Sequence, residues 1–303
     1  MPEGDGFPVA LRRLCEGAGP LVALLVLAGT AGSAPALGPG SHSLRVRWQD
    51  VERRVLVHVP QAYDGSRALP LLLDLHALGS RPERQISLSG FRELAEDAGF
   101  MVAYPAGRFG SWNAGDLCCG RARALGVDDV GFLRAVLARI AGELRVDRRR
   151  VYATGLSNGA AMVQRLACDA ADVFAAVAAV AFPLPFRDPS RCRPSRPIAV
   201  LSFRGRTDRV VPYNGGAGLL GAEQDFAHWR DLDGCGTEAL PEPDGSAGCR
   251  LDRSCRAAVE VGLCSVRAVD RGRGHVLYLN DELVISERAW RFLSRFTLPD
   301  PSP

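Results

Sequence analysis

Apolar and polar positions along the chain switch repeatedly between a period of two and a period near three and a half. Ser43–Trp48 and Arg53–Val59 alternate apolar with polar residues, which predicts two antiparallel strands closed by Pro60. Leu69–Leu75 is apolar except for Pro70 and Asp74, as expected of a strand buried on both faces. A helix is predicted over about 88–98, a strand over Phe100–Tyr104 and a loop over Pro105–Gly120. Val127–Leu144 carries Phe132, Leu133, Val136, Leu137 and Ile140 at helical spacing. Asp128 and Asp129 open that helix, where carboxylates cap free N–H groups and meet the positive end of the dipole. Val173–Phe182 and Pro197–Phe203 read as further strands, and Gly221–Asp231 as a helix. Gly234–Gly262 reads as irregular, Val266–Val269 as the last core strand and Asp281–Phe296 as the last helix. Strands alternating with helices predict an α/β fold, a mainly parallel doubly wound sheet with helices on both faces.

One strand-to-helix junction carries a chemical pattern. Val151, Tyr152 and Ala153 form a short apolar run, and Gly155, Ser157 and Gly159 then spell G-x-S-x-G before a helical pattern through Val163, Leu166 and Ala167. Glycines on both sides of a serine permit the sharp bend that lifts its hydroxyl out of the sheet. Ser157 is therefore the candidate nucleophile of a nucleophile elbow. A serine hydroxyl needs a base, and the base needs an acid to orient it.

In α/β-hydrolases the acid and then the base follow the serine along the chain. Of the five histidines only His228 and His275 follow Ser157. His228 lies in a helical pattern beside Trp229, which suits a packed or solvated side chain. His275 follows a strand and a glycine-rich turn, so it is the candidate base. Asp208 lies just past an apolar strand, where such sheets place ligand-handling groups, and is the candidate acid. Asp225, Asp231, Asp233 and Asp270 sit in helix or strand contexts. The developing oxyanion needs two backbone donors: the N–H of Asn158, and one from the loop after the Leu69–Leu75 strand, at Leu78 or Ala77. His76 then anchors that loop and is not the base.

Composition narrows the setting. The 37 basic and 34 acidic residues leave a net charge of +3, too small to argue for nucleic acid as a partner. Every basic residue is arginine, which reflects coding bias and not function. Arg12 and Arg13 precede an apolar run over Leu21–Ala28 and small residues to Ala36, so residues 1–36 read as a signal peptide. The apolar run is too short for a permanent membrane helix. Beyond Cys15, eight cysteines remain, four of them between Cys235 and Cys264. That density suits disulfides in an oxidising compartment, extracellular or periplasmic. The cluster holds no C-x-x-C pair and no histidine, which argues against zinc. Cys118 and Cys119 are adjacent and are expected to bond to separate partners, because joining them closes a strained ring. Residues 44–297 read as one catalytic domain.

Several motifs in order carry a family resemblance: Leu75-His76-Ala77-Leu78-Gly79, Trp112-Asn113-Ala114-Gly115 with Cys118-Cys119-Gly120, Gly155-Leu156-Ser157-Asn158-Gly159, Thr207-Asp208 with Val211-Pro212-Tyr213-Asn214-Gly215-Gly216, and Gly274-His275. The chain resembles secreted polyhydroxybutyrate depolymerases and feruloyl esterases over about residues 44–297. The resemblance implies an α/β-hydrolase fold and carboxylic-ester hydrolysis with Ser157, Asp208 and His275 as triad. It implies no metal and no cofactor. Trp112 and His76 are placed on the substrate side. The implied partner is a small or oligomeric ester, feruloyl or acetyl esters of polysaccharide or hydroxyalkanoate esters, met by a monomer with no nucleic acid and no membrane after signal cleavage. Acyl transfer by the same triad and a hydrolase-fold binding protein without turnover are the alternatives. Two motifs depart from the family: His76-Ala77 replaces His-Gly, and Val276-Leu277-Tyr278 replaces Thr-Trp-Pro after the base.

Overall fold

The computed structural model describes residues 37–236, 240–241, 248–267 and 273–299, and the expected signal peptide lies outside them. Pro35–Pro303 form one compact unit. Its centre is a sheet whose strands run β1-β2-β4-β3-β5-β6-β7-β10-β9-β8 in space. The strands are β1 (Gly40–Trp48), β2 (Val51–Val59), β3 (Leu69–Leu75), β4 (Met101–Pro105), β5 (Val146–Leu156), β6 (Ala176–Val180), β7 (Ala199–Gly205), β8 (Leu240–Pro241), β9 (Cys249–Asp252) and β10 (Val261–Val266). The block β4-β3-β5-β6-β7-β10 is parallel. At one edge β1 and β2 join it antiparallel, and at the other β9 and β8 do. β3, β4, β6 and β7 are buried at every residue, which is why they read as continuous apolar runs and not as alternations.

The helices are α1 (Pro82–Ser89), α2 (Phe91–Ala98), α3 (Gly120–Ala124), α4 (Asp129–Ala141), α5 (Asn158–Asp169), α6 (Ala222–Asp233) and α7 (Ile285–Leu293). They cover both faces of the sheet. Tyr152 of β5 stands level with Ala199 of β7 through Ala176. Its hydroxyl reaches the Phe296 carbonyl just past α7, and its ring meets Trp290 edge-on. Ser202, an odd number of residues beyond Ala199, points to the opposite face and bonds Gln164 of α5 and Asp225 of α6.

Four expectations are corrected. The helix foreseen over 88–98 begins at Pro82 and is cut in two at Gly90, whose φ of 71° no helix interior tolerates. The last core strand begins earlier than expected and spans Val261–Val266, because Val261 and Leu263 pack beside β7; residues 268–269 of the expected Val266–Val269 lie outside the described residues. The segment read as irregular over 234–262 contains β9, which pairs antiparallel with that strand, and β8, which pairs antiparallel with β9. Cys118 and Cys119 are bonded to each other. Among the described residues the other six cysteines pair within their own regions, as Cys168–Cys192, Cys235–Cys255 and Cys249–Cys264, and leave no third described thiol for the 105–120 loop. A cluster of Cys235, Asp252 and Cys255 has metal-like spacing, but its two sulfurs are joined to each other and are not thiolates.

Candidate active site

The elbow follows from close packing of backbone. Ser157 sits between β5 and α5 at φ 56° and ψ −117°, a conformation rare for a residue with a side chain. A Cβ on Gly155 would lie 2.7 Å from the Leu75 carbonyl oxygen, and one on Gly159 would lie 2.7 Å from the His76 carbonyl oxygen. Both glycines therefore let β5 and α5 press against the end of β3. The Ser157 N–H donates to Val180 at 2.8 Å, which ties the strained residue to β6.

Two distant loops meet the serine. His275 Nε2 lies 2.7 Å from Ser157 Oγ, and His275 Nδ1 lies 2.8 Å from Asp208 Oδ2. The two bonds are satisfied together when Nδ1 carries the proton and Nε2 accepts from the hydroxyl. Asp208, buried just beyond β7, is held by its other oxygen, which accepts from the N–H groups of Val210 at 2.8 Å and Val211 at 2.9 Å. The Arg209 N–H donates to Arg273 at 2.9 Å and clamps the aspartate loop to the histidine loop. Gly274 takes φ 65°, and a Cβ there would lie 2.8 Å from the Thr207 carbonyl oxygen. The other acids lie elsewhere. Asp225 is buried with Leu184, Gln164 and Ser202, Asp233 accepts from the Ile198 N–H, and Asp270 lies outside the described residues. His228 is a half-buried residue of α6.

Beside the serine, the N–H of Asn158 opens α5, where helix geometry leaves it without an intrahelical acceptor. Among the described residues, no acceptor is bonded to the N–H of Leu78 or Ala77. Leu78 itself is half exposed. Trp112 and His76, expected on the substrate side, are instead almost wholly buried at 0% and 1% exposure. Gly107 donates its N–H to His76 Nε2 at 2.9 Å, so His76 Nδ1 carries the proton and donates to the Ala77 carbonyl at 2.8 Å. Burial holds the His76 pKa below its ordinary value and keeps the ring neutral. Trp112 Nε1 donates to the His76 carbonyl at 2.9 Å. The pair braces the loop from beneath, because neither side chain has surface to offer a ligand.

The side chain of Asn158 is a feature that motif reading passed over. Its Oδ1 accepts from the Trp112 N–H at 2.7 Å, and its Nδ2 donates to the Trp112 carbonyl at 3.0 Å. Asp129 was expected only as a first-turn acid. It also accepts from the Asn113 N–H at 2.7 Å and pairs with buried Arg53 at 2.5 Å. An asparagine directly after the serine and paired acids at a helix start were the available signals.

No protein-family model matches the chain. It is 33% identical over 262 residues to a protein named feruloyl esterase B from Piromyces equi, covering 82% of this chain and 46% of that relative. The chain thus spans less than half of the relative's length. Among solved structures, a thermostable esterase superimposes with a TM-score of 0.57 at 14% identity, covering 85% of this chain and 63% of the other. An acetyl xylan esterase from Aspergillus awamori gives a TM-score of 0.52 at 13% identity, covering 80% and 94%. The fold is that of the α/β-hydrolases. In the α/β-hydrolase frame, Ser157 occupies the turn between β5 and α5, and the loops after β7 and β10 reach it from the same edge of the sheet.

Proposed function

We propose that the chain is a serine carboxylic-ester hydrolase with Ser157 as nucleophile, His275 as base and Asp208 as the residue that orients it. The observation that carries this reading is one imidazole bonded at 2.7 Å to a strained serine and at 2.8 Å to a buried carboxylate. Ser157 attacks the ester carbonyl while His275 takes its proton; the alcohol leaves with that proton, and a water activated by the same ring then releases the acid. The N–H groups of Asn158 and Leu78 receive the negative oxygen of each tetrahedral intermediate. Asp208 keeps the ring in the tautomer that accepts from serine and stabilises the imidazolium as it forms.

The relative named feruloyl esterase B favours feruloyl esters as substrates over hydroxyalkanoate esters, with acetyl esters of polysaccharide the next candidate. Export through a signal peptide at 1–36, ahead of a catalytic domain at 44–297, belongs to the same reading; four disulfides among the described residues support it. A fluorophosphonate probe tests the nucleophile: labelling of the wild type that disappears in Ser157→Ala is expected. A panel of methyl ferulate, p-nitrophenyl acetate and butyrate, acetylated xylan and a hydroxybutyrate oligomer tests the substrate class. Folded protein that neither labels nor turns over any of these esters would overturn the reading.

A further inference from the structure

We propose that the Cys118–Cys119 disulfide is a redox-sensitive positioning element that holds the two sides of the oxyanion site, Asn158 and Leu78, in register; this rests on the serine-hydrolase reading. The ring touches one side, and the residue that follows it touches the other. Cys118 is buried at 1% exposure, and its sulfur accepts from Asn158 Nδ2 at 3.4 Å. The same amide is clamped by the main chain of Trp112, so the sulfur and the tryptophan backbone together fix the first residue of α5. On the other side, Gly120 follows the ring so closely under the oxyanion loop that a Cβ there would lie 2.7 Å from Leu78 Cδ1 and 2.7 Å from Ser111 Cβ. The approach to the ring is also anchored, since the Leu117 N–H donates to the Pro185 carbonyl at 3.0 Å.

Global stability does not account for this bond. Stabilisation by cross-linking grows with the length of chain enclosed, and adjacent residues enclose almost none. The other three disulfides join residues 24, 20 and 15 apart and constrain the unfolded chain far more. What a bond between neighbours does is stiffen its own two residues, and here they carry the contact to Asn158 and lead directly into the contact to Leu78. Reduction by a dithiol transfers two electrons and two protons to the bond, yields two thiols and leaves the dithiol as its disulfide. The sulfur bonded to Asn158 is then released from the ring, and the loop under Leu78 relaxes.

The test compares wild type with Cys118→Ala/Cys119→Ala, using kcat and KM for p-nitrophenyl acetate alongside thermal unfolding. Donors to the oxyanion act in the transition state, so kcat is expected to fall about tenfold or more with KM changed less than about twofold. The melting temperature is expected to fall by less than about 3 °C. Cys168→Ala/Cys192→Ala should show the reverse, a lower melting temperature with kcat retained. Should the first variant not fold, graded dithiothreitol on the wild type, with each cysteine pair followed by mass spectrometry, replaces it. Loss of kcat should then track reduction of Cys118–Cys119 and return on reoxidation. An unchanged kcat, a change in KM alone, or an activity loss that tracks another pair overturns the proposal while leaving the esterase reading intact. Wild-type protein that is inactive while oxidised overturns both.

Discussion

The two ends of the parallel strands of this α/β-hydrolase fold are built differently. At the carboxyl ends of β5 and β7, and on the loop after β10, Ser157, Asp208 and His275 come together through bonds of 2.7 and 2.8 Å. At the opposite ends, Leu71, Leu137, Val151 and Val173 line a cavity of about 660 Å³. Two of its arginines are already engaged: Arg134 pairs with both oxygens of Asp172, and Arg196 donates to the carbonyls of Ala171, Pro197 and Phe174. The front combines a strained serine, a half-buried imidazole and free amides; the back combines space with apolar walls and ion-paired or carbonyl-bound Arg134 and Arg196. Concave volume alone therefore does not mark the proposed reactive site. The proposed site lies instead at strand ends that feed loops and a helix N-terminus.

Substitutions can break this contrast. Ser157→Ala should produce the largest effect, a loss of about 10⁴-fold or more in kcat/KM for p-nitrophenyl acetate with the melting temperature little changed. Comparable residual activity would remove the front as the reactive site. Asp208→Asn should follow, with kcat lower by about 10³- to 10⁴-fold, because an amide leaves the imidazole in the wrong tautomer. Leu71→Ala, deep in the back wall and fully buried, should cost about 2–5 kcal/mol of stability in urea unfolding. It should leave kcat/KM of the folded enzyme within about twofold, and a large activity loss would tie the back cavity to the reaction.

The smallest effect concerns β3, which runs from the back wall to the oxyanion loop. Burial raises the pKa of Asp74 from its ordinary value to about 7, offset only in part by the hydrogen bond that Gln85 Nε2 donates to Asp74 Oδ1 at 2.7 Å. A carboxyl whose folded pKa lies above its unfolded one contributes stability that is complete below about pH 4 and lost as pH rises through about 7. Asp74→Asn cannot ionise, so its melting temperature should gain on the wild type across that window, by on the order of 5 °C at pH 8. Melting curves at pH 4, 6 and 8 check this, and a constant gap would mean that Asp74 does not titrate there.

Much of this architecture was legible along the chain. β3 carries its burial in an unbroken apolar run, and Asp128 announces its helix by accepting from the Gly131 N–H. The elbow glycines were legible because a steric demand acts on the residue itself. The split at Gly90 and the shift of the last strand to Val261–Val266 were not, since both depend on which neighbouring surface the segment meets. His76 and Trp112 looked like ligand-facing groups from their place in the motifs, yet burial turns them into braces.

By itself, the sequence determined the alternation of strands and helices, the bend at Ser157, and a short choice of candidate acids and bases. Those are properties of period, side-chain size and order, which act over a few residues. Only the tertiary structure decided that His275 spans 118 residues to Ser157 and 67 to Asp208, that Cys118 bonds to Cys119, and that Asn158 is clamped by Trp112. Hydrogen-bond partners far apart along the chain are selected by the packing of the whole sheet, which no local pattern encodes.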